Sequence, residues 1–280
     1  MLAAEVSTED FTYGLITPVF AFLMAVVGSA LGLRCTTRAL SSDRNRRPGW
    51  LALGALAMGT GIFTMHFIAM MGFTVPSMSL SYDLGITYAS LAVAVGVVGI
   101  GVFLVGYAPR SNLTLAAGGV VTGSGVAAMH YLGMAGMGMA GVMRYDPVTV
   151  GISVAIAVVA ATVALWFAVN VNGFAASLGA SVIMGVAVTG MHYAGMAAVS
   201  VHTHGAAASG GGHAQVEILM PALVVPIVAL VFVGLFVGLD PMTEQDIHEG
   251  MNRGDQYGEG SRPRAEARPR PTGTGPGAVR

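Results

Sequence analysis

The sequence predicts an all-α fold: a polytopic bundle of seven transmembrane helices, in which three repeated helical-hairpin units are followed by a seventh helix. Three observations carry that reading. The 280-residue chain is 54% hydrophobic and only 10% charged, with a mean hydropathy of +0.72, whereas about a quarter of the residues in soluble domains are charged. It contains a series of apolar runs of about 20 residues, the length a helix needs to cross a bilayer while satisfying its own backbone. A twelve-residue pattern also recurs three times along it.

The runs fall near Tyr13 to Leu33, Trp50 to Phe73, Leu84 to Tyr107, Leu113 to Met137, Val148 to Val169, Phe174 to Ser200 and Ile218 to Leu239. Between them lie turn-rich breaks: "SSDRNRRPG", "VPSMSLSYD", "APRSN", "RYDP", "NVNG" and "HTHGAAASGGGHAQ". The first run follows an acidic start (Glu5, Glu9, Asp10) with no basic n-region, so it is expected to stay as an anchor and not to be cleaved as a signal peptide. Arginine sets the expected orientation. Arg34, Arg38, Arg44, Arg46 and Arg47 lie in the first break, Arg110 in the third and six more after the last run; Arg144 alone falls on the other side. This places the chain in the inner (cytoplasmic) cell membrane, N-terminus outside and C-terminus cytoplasmic. Residues 1–239 form the membrane domain. Residues 240–280, rich in Gly, Pro and Arg, read as a disordered cytoplasmic tail with no room for a folded output domain. Gly28 and Gly32, Gly119 and Gly123, and Gly234 and Gly238 have the small-xxx-small spacing of close helix contacts.

Composition excludes several functions. A net charge of -1 and the absence of a basic field argue against nucleic acid. A single cysteine, Cys35, leaves neither an internal disulfide nor a cysteine zinc site. There is no lysine for a retinal Schiff base. The spans carry no paired carboxylates, no HExxH and no Ser-His-Asp set, so no enzyme is expected.

The repeat carries the chemistry. "GTGIFTMHFIAM" from Gly59, "GSGVAAMHYLGM" from Gly123 and "GVAVTGMHYAGM" from Gly185 share the head glycine, a Met-His-aromatic core and a final Met. They fall on the second, fourth and sixth spans, which run in one direction. His66, His130 and His192 each come 16 to 18 residues into their span, about 25 Å along at roughly 1.5 Å per residue, so all three share one depth in the outer leaflet. His66 with Met70, His130 with Met134 and His192 with Met196 are i, i+4 pairs that present imidazole and thioether on one helix face. If the three faces converge, six ligands meet in one layer. Imidazole suits copper among other metals and thioether selects Cu(I), while magnesium and calcium want oxygen. Copper is therefore the expected cofactor, with a haem on two of the histidines as the secondary alternative. Met65, Met129 and Met191, about 100° around each helix from the following histidine, are further candidate ligands; Tyr131 and Tyr193 are candidate hydrogen-bond donors at the site. A shared packing unit inherited by duplication is the competing reading.

With its Met65-His66-Phe67, Met129-His130-Tyr131 and Met191-His192-Tyr193 cores, the sequence resembles the MHYT domain, a bacterial integral membrane module, over roughly residues 13–200. Ile68, Leu132 and Ala194 stand where the motif's threonine would be, and Phe67 replaces the first tyrosine. The resemblance implies a sensor that binds copper near the outer membrane face and detects a diatomic gas (oxygen, carbon monoxide or nitric oxide) or redox state. Many such modules are fused to cyclic-di-GMP enzymes; this chain is expected to signal through a separate cytoplasmic protein or through its short tail. The alternative function is copper transport or handling, to which His202, His204 and His213 in the last break, and Met137, Met139 and Met143, would contribute capture sites. Ligands crowd the outer half of the spans, which favours sensing.

Overall fold

The computed structural model describes residues 4–76, 78–171, 173–203 and 215–239. Among these residues, seven helices are long and apolar enough to span a membrane: α1 (Ile16–Ser41), α2 (Arg47–Met70), α3 (Leu84–Tyr107), α4 (Asn112–Ala135), α5 (Pro147–Asn170), α6 (Phe174–Met196) and α7 (Gln215–Leu239). The expected tail, residues 240–280, lies outside the described residues.

Local chemistry sets the starts. Asp83, Ser111 and Asp146 are N-caps whose side chains accept from the backbone N–H of Ile86, Thr114 and Thr149, relieving donors that the first turn leaves unpaired. The hydrogen bonds from Thr149 hold the Asp146 carboxyl below the usual carboxylate range. Proline opens α2 and α5, where its missing N–H costs nothing. Gly173 precedes α6 with φ of 91°, a conformation that favours glycine.

Helices α1 to α6 form a ring. Each packs on its neighbour in sequence, and α6 returns to α1. The head glycine of each repeat seats an even helix on the next odd one: Gly59 lies against the backbone of Val95 on α3, Gly123 against that of Val158 on α5, and Gly185 against Val26 and Phe22 on α1. Gly28 and Gly61 bring α1 and α2 into backbone contact, and Gly119 faces Thr162. The expectation for Gly234 and Gly238 fails among the described residues: a Cβ on Gly234 would meet only Leu31, at 3.8 Å, and one on Gly238 nothing within 4 Å. Helix α7 contacts the bundle through longer side chains, such as Phe236 against Trp50.

The end of the bundle at which α2, α4 and α6 finish is covered by short strands that the helical periodicity does not announce. Strands β1 (Ala4–Val6), β4 (Val142–Tyr145) and β5 (Val199–Thr203) form an antiparallel sheet in the order β1-β5-β4, and β2 (Ser81–Tyr82) pairs with β3 (Met137–Gly138). The opposite end carries Arg38 over Trp50 and Arg47 over Tyr107, cations and amphipathic rings of the kind that settle at an interface.

A methyl group added at Gly59 would sit 2.6 Å from the Val95 Cα. Gly59→Ala is expected to cost about 1–3 kcal/mol through overpacking, whereas Gly190→Ala, with open space around it, should be neutral or stabilising. Thermal unfolding of the two purified variants checks this.

Candidate metal centre

Each motif histidine sits in the last turns of its helix, and nearly equal helix lengths carry all three to one level beneath the strand cap. The three rings are buried and meet on the axis of the ring. Their Nδ1 atoms form a triangle, with His66 to His192 at 3.0 Å, His66 to His130 at 3.2 Å and His130 to His192 at 3.3 Å. The rings stand nearly perpendicular to one another, at interplanar angles of 74°, 80° and 86°. Among the described residues, this is where three metal-ligating side chains of the His, Cys, Asp and Glu class converge.

Two features hold the rings in that pose. The aromatic after each histidine presents its ring edgewise: Phe67 to His66 at 4.6 Å, Tyr131 to His130 at 4.8 Å and Tyr193 to His192 at 4.9 Å. Behind the rings, the helix of the next repeat gives way to them. The Nε2 of His66 lies where a Cβ on Gly133 would be 2.5 Å away, and the Nε2 of His130 stands in the same relation to Gly195. Both glycines come three residues after a motif histidine; the first repeat has Ala69 there.

The triangle has one consequence for protons. A neutral imidazole carries one proton, so each Nδ1 is either a donor or an acceptor, and three of them in mutual contact cannot close a cyclic set of hydrogen bonds. At least one pair of nitrogens faces like to like, lone pair against lone pair or proton against proton. The Nε2 atoms of His66 and His130 are buried without a hydrogen-bond partner, which fits a set of rings turned for what lies between them. The centre of the triangle is about 1.8 Å from each Nδ1, just inside an ordinary metal–imidazole bond of about 2.0 Å. A cation there meets three neutral nitrogens with little rearrangement, so the residues present fit a metal.

The remaining candidates divide. Met70, Met134 and Met196 are brought together with Met71 and Met137 in one buried cluster, against which Met78, Met139 and Met143 pack. This cluster of thioethers lies at the cap end. Met65 instead packs with Ala21, Ala25 and Ala69 beside α1, and Met191 faces the core at the other end. Met129 is buried. Ser153 donates to the carbonyl of Val150, so the Tyr131 hydroxyl donates to Ser153 at 2.7 Å and is turned toward α5. Tyr193 stacks on Phe11, its hydroxyl buried without a partner. His202 lies on β5, 3.4 Å from the Ser200 hydroxyl and apart from the triad. His204 and His213 lie outside the described residues. In the cap, burial pushes the phenols of Tyr82 and Tyr145 up, keeping both protonated, and raises the Asp10 carboxyl.

Sequence reasoning passed over Gly133 and Gly195, although "GM" closes both the second and third repeats. It also passed over Ser153, Phe11 and the cap.

The sequence profile of the MHYT family, described as a bacterial signalling protein N-terminal repeat, matches residues 59–118 and 123–181. The chain belongs to the MHYT family. The two matched stretches contain His66 and His130, and the third copy, at His192, completes the triangle. Its relatives include the bifunctional diguanylate cyclase/cyclic di-GMP phosphodiesterase MucR of Pseudomonas aeruginosa, 36% identical over 79% of this chain and 33% of that protein. The cyclic di-GMP phosphodiesterase NbdA of the same organism is 33% identical over 68% of this chain and 25% of its own length. The signaling protein YkoW of Bacillus subtilis is 29% identical over 74% of this chain and 26% of its own length. The chain thus spans a third or less of these curated relatives. No solved structure matches it significantly. This MHYT chain is a multi-pass membrane signalling domain.

Gly133→Ala and Gly195→Ala are expected to push the rings of His66 and His130 off their present positions. Each should destabilise the fold by about 1–3 kcal/mol and displace the imidazole nitrogen resonances in ¹⁵N-histidine spectra. Unchanged spectra in a folded variant would contradict the packing.

Proposed function

We propose that this MHYT domain is a membrane sensor built on a metal centre, with His66, His130 and His192 as ligands through Nδ1 and copper as the metal. The observation that carries the reading is the Nδ1 triangle, 3.0 to 3.3 Å on a side. Copper follows from the donors: three borderline nitrogens, with the thioethers of Met70, Met134 and Met196 gathered nearby in the cap-side cluster and no carboxylate in the cluster of ligating groups. Met65, Met129 and Met191 act as packing residues around the ligands. Tyr131 and Tyr193 fix the rings by edge contact, and their hydroxyls turn elsewhere.

The arginines of the described residues support an orientation in which the cap faces outward. Arg34, Arg38, Arg44, Arg46, Arg47 and Arg110 lie at the end opposite the triad, and Arg144 alone lies on β4. The metal then sits near the outer face, and a change there reaches a separate cytoplasmic signalling protein through the helices that carry its ligands. When bound, the metal supplies a site for a diatomic gas or a change of redox state; the protein holds it in place, keeps bulk water away and orients the imidazoles. The chain itself is not an enzyme in this reading.

The test is metal content. Purified wild type is expected to hold about one equivalent of copper, and the His66, His130, His192 triple alanine variant none; equal content in the two would leave the repeats as packing units. Affinity should fall as pH is lowered, because a ligating imidazole must be neutral. Uptake of copper into proteoliposomes, abolished by His130→Ala, would replace sensing by transport.

A further inference from the structure

A cavity of about 50 Å³ lies between the first six helices. Its position relative to the triad is fixed by the repeat. Ile62, Val126 and Val188 line it, and each stands four residues before a motif histidine, hence one helical turn below the imidazole on the same face. Ala157, Ala160, Ala161 and Ala164 on α5 leave the space that larger side chains would fill. Met58, Met184 and Met191 add polarisable thioethers to the wall.

The lining decides what the cavity holds. It offers two hydroxyls, Ser29 and Thr122, and Thr122 already faces the Val97 carbonyl at 3.5 Å. A buried water needs two to four polar partners, whereas apolar cavities stay dry and take up apolar solutes, xenon among them. The space exceeds that of one water and is too small for a folded lipid tail or a drug-sized molecule.

The geometry points to a second ligand site: the central cavity takes a small uncharged apolar molecule of the size of a diatomic gas, one helical turn from the imidazole triangle. An occupant touches the turns that carry all three histidines at once, so it is felt by the triad without binding to it. In function this deepens the sensor reading and rests on it, but the binding itself does not depend on a metal.

The test uses the full chain in lipid nanodiscs, stripped of metal and labelled with ¹³C at the methionine methyls, titrated with xenon under pressure. The methyls of Met58, Met184 and Met191 are expected to shift saturably. Met220, exposed on α7, should shift only in proportion to dissolved xenon. Ala161→Leu, which fills the cavity, should weaken the saturable response at least tenfold, with Ala157→Val as the second filling variant should the first fail to fold. Dispersed signals from Met70, Met134 and Met196 report the intact bundle. Linear shifts at all methyls in the wild type, or an undiminished saturable response in a folded filled variant, would overturn the proposal. Because the protein is metal-free, failure of the copper reading leaves this outcome untouched.

Discussion

Three imidazoles turned toward one axis within a lipid-spanning bundle are the constraint on which the rest of this structure depends. An unpaired polar group in such surroundings costs about 1–3 kcal/mol or more, and here three nitrogens are brought to within 3.3 Å of one another. Such an arrangement persists only if backbones on three sides hold it. Helices α2, α4 and α6 supply those backbones, and the ring of six closes around them. Glycine is needed where the rings and the helices come closest, at Gly133 and Gly195 behind the imidazoles and at Gly59, Gly123 and Gly185 where even helices meet odd ones.

Threefold order is strict at the triangle and relaxes away from it. The histidines and their edge-on aromatics repeat with nearly equal geometry, and the following methionines all enter one buried cluster. One shell further out the copies have diverged: Phe67 lies in the methionine cluster, Tyr131 reaches Ser153 and Tyr193 stacks on Phe11. Ala69 in place of glycine makes the first copy different even behind the rings. The copies differ where contacts are ordinary packing and agree where three imidazoles meet on one axis.

Most of the bundle was legible in the sequence, because hydropathy over 20 residues and a 62–64 residue repeat are signals that a bilayer enforces directly. The third span was read to the residue, Leu84–Tyr107, since Asp83 caps its start and Ala108-Pro109 ends it. The equal depth of the histidines followed from counting along spans. The cap was illegible: strands of two to five residues join segments such as β1 and β5, nearly 200 residues apart, and their pairing leaves no local period. Helix spacing also said nothing of azimuth relative to neighbours. Met65 and Met191 therefore stood level with the histidines on paper and face α1 and the inner core in the fold, and the glycines of α7 kept their spacing without a partner close enough to use it.

The seventh helix is not needed to close the ring, and its role is one of parity. Three hairpins return a chain to the side of the membrane from which it set out. One extra crossing changes that: α7 starts beside the strand cap and runs toward the end of the bundle that carries Trp50. The outgoing end of α7 and the strand cap thus sit at opposite ends of the lipid-spanning bundle, so any link between them has to run through packed protein.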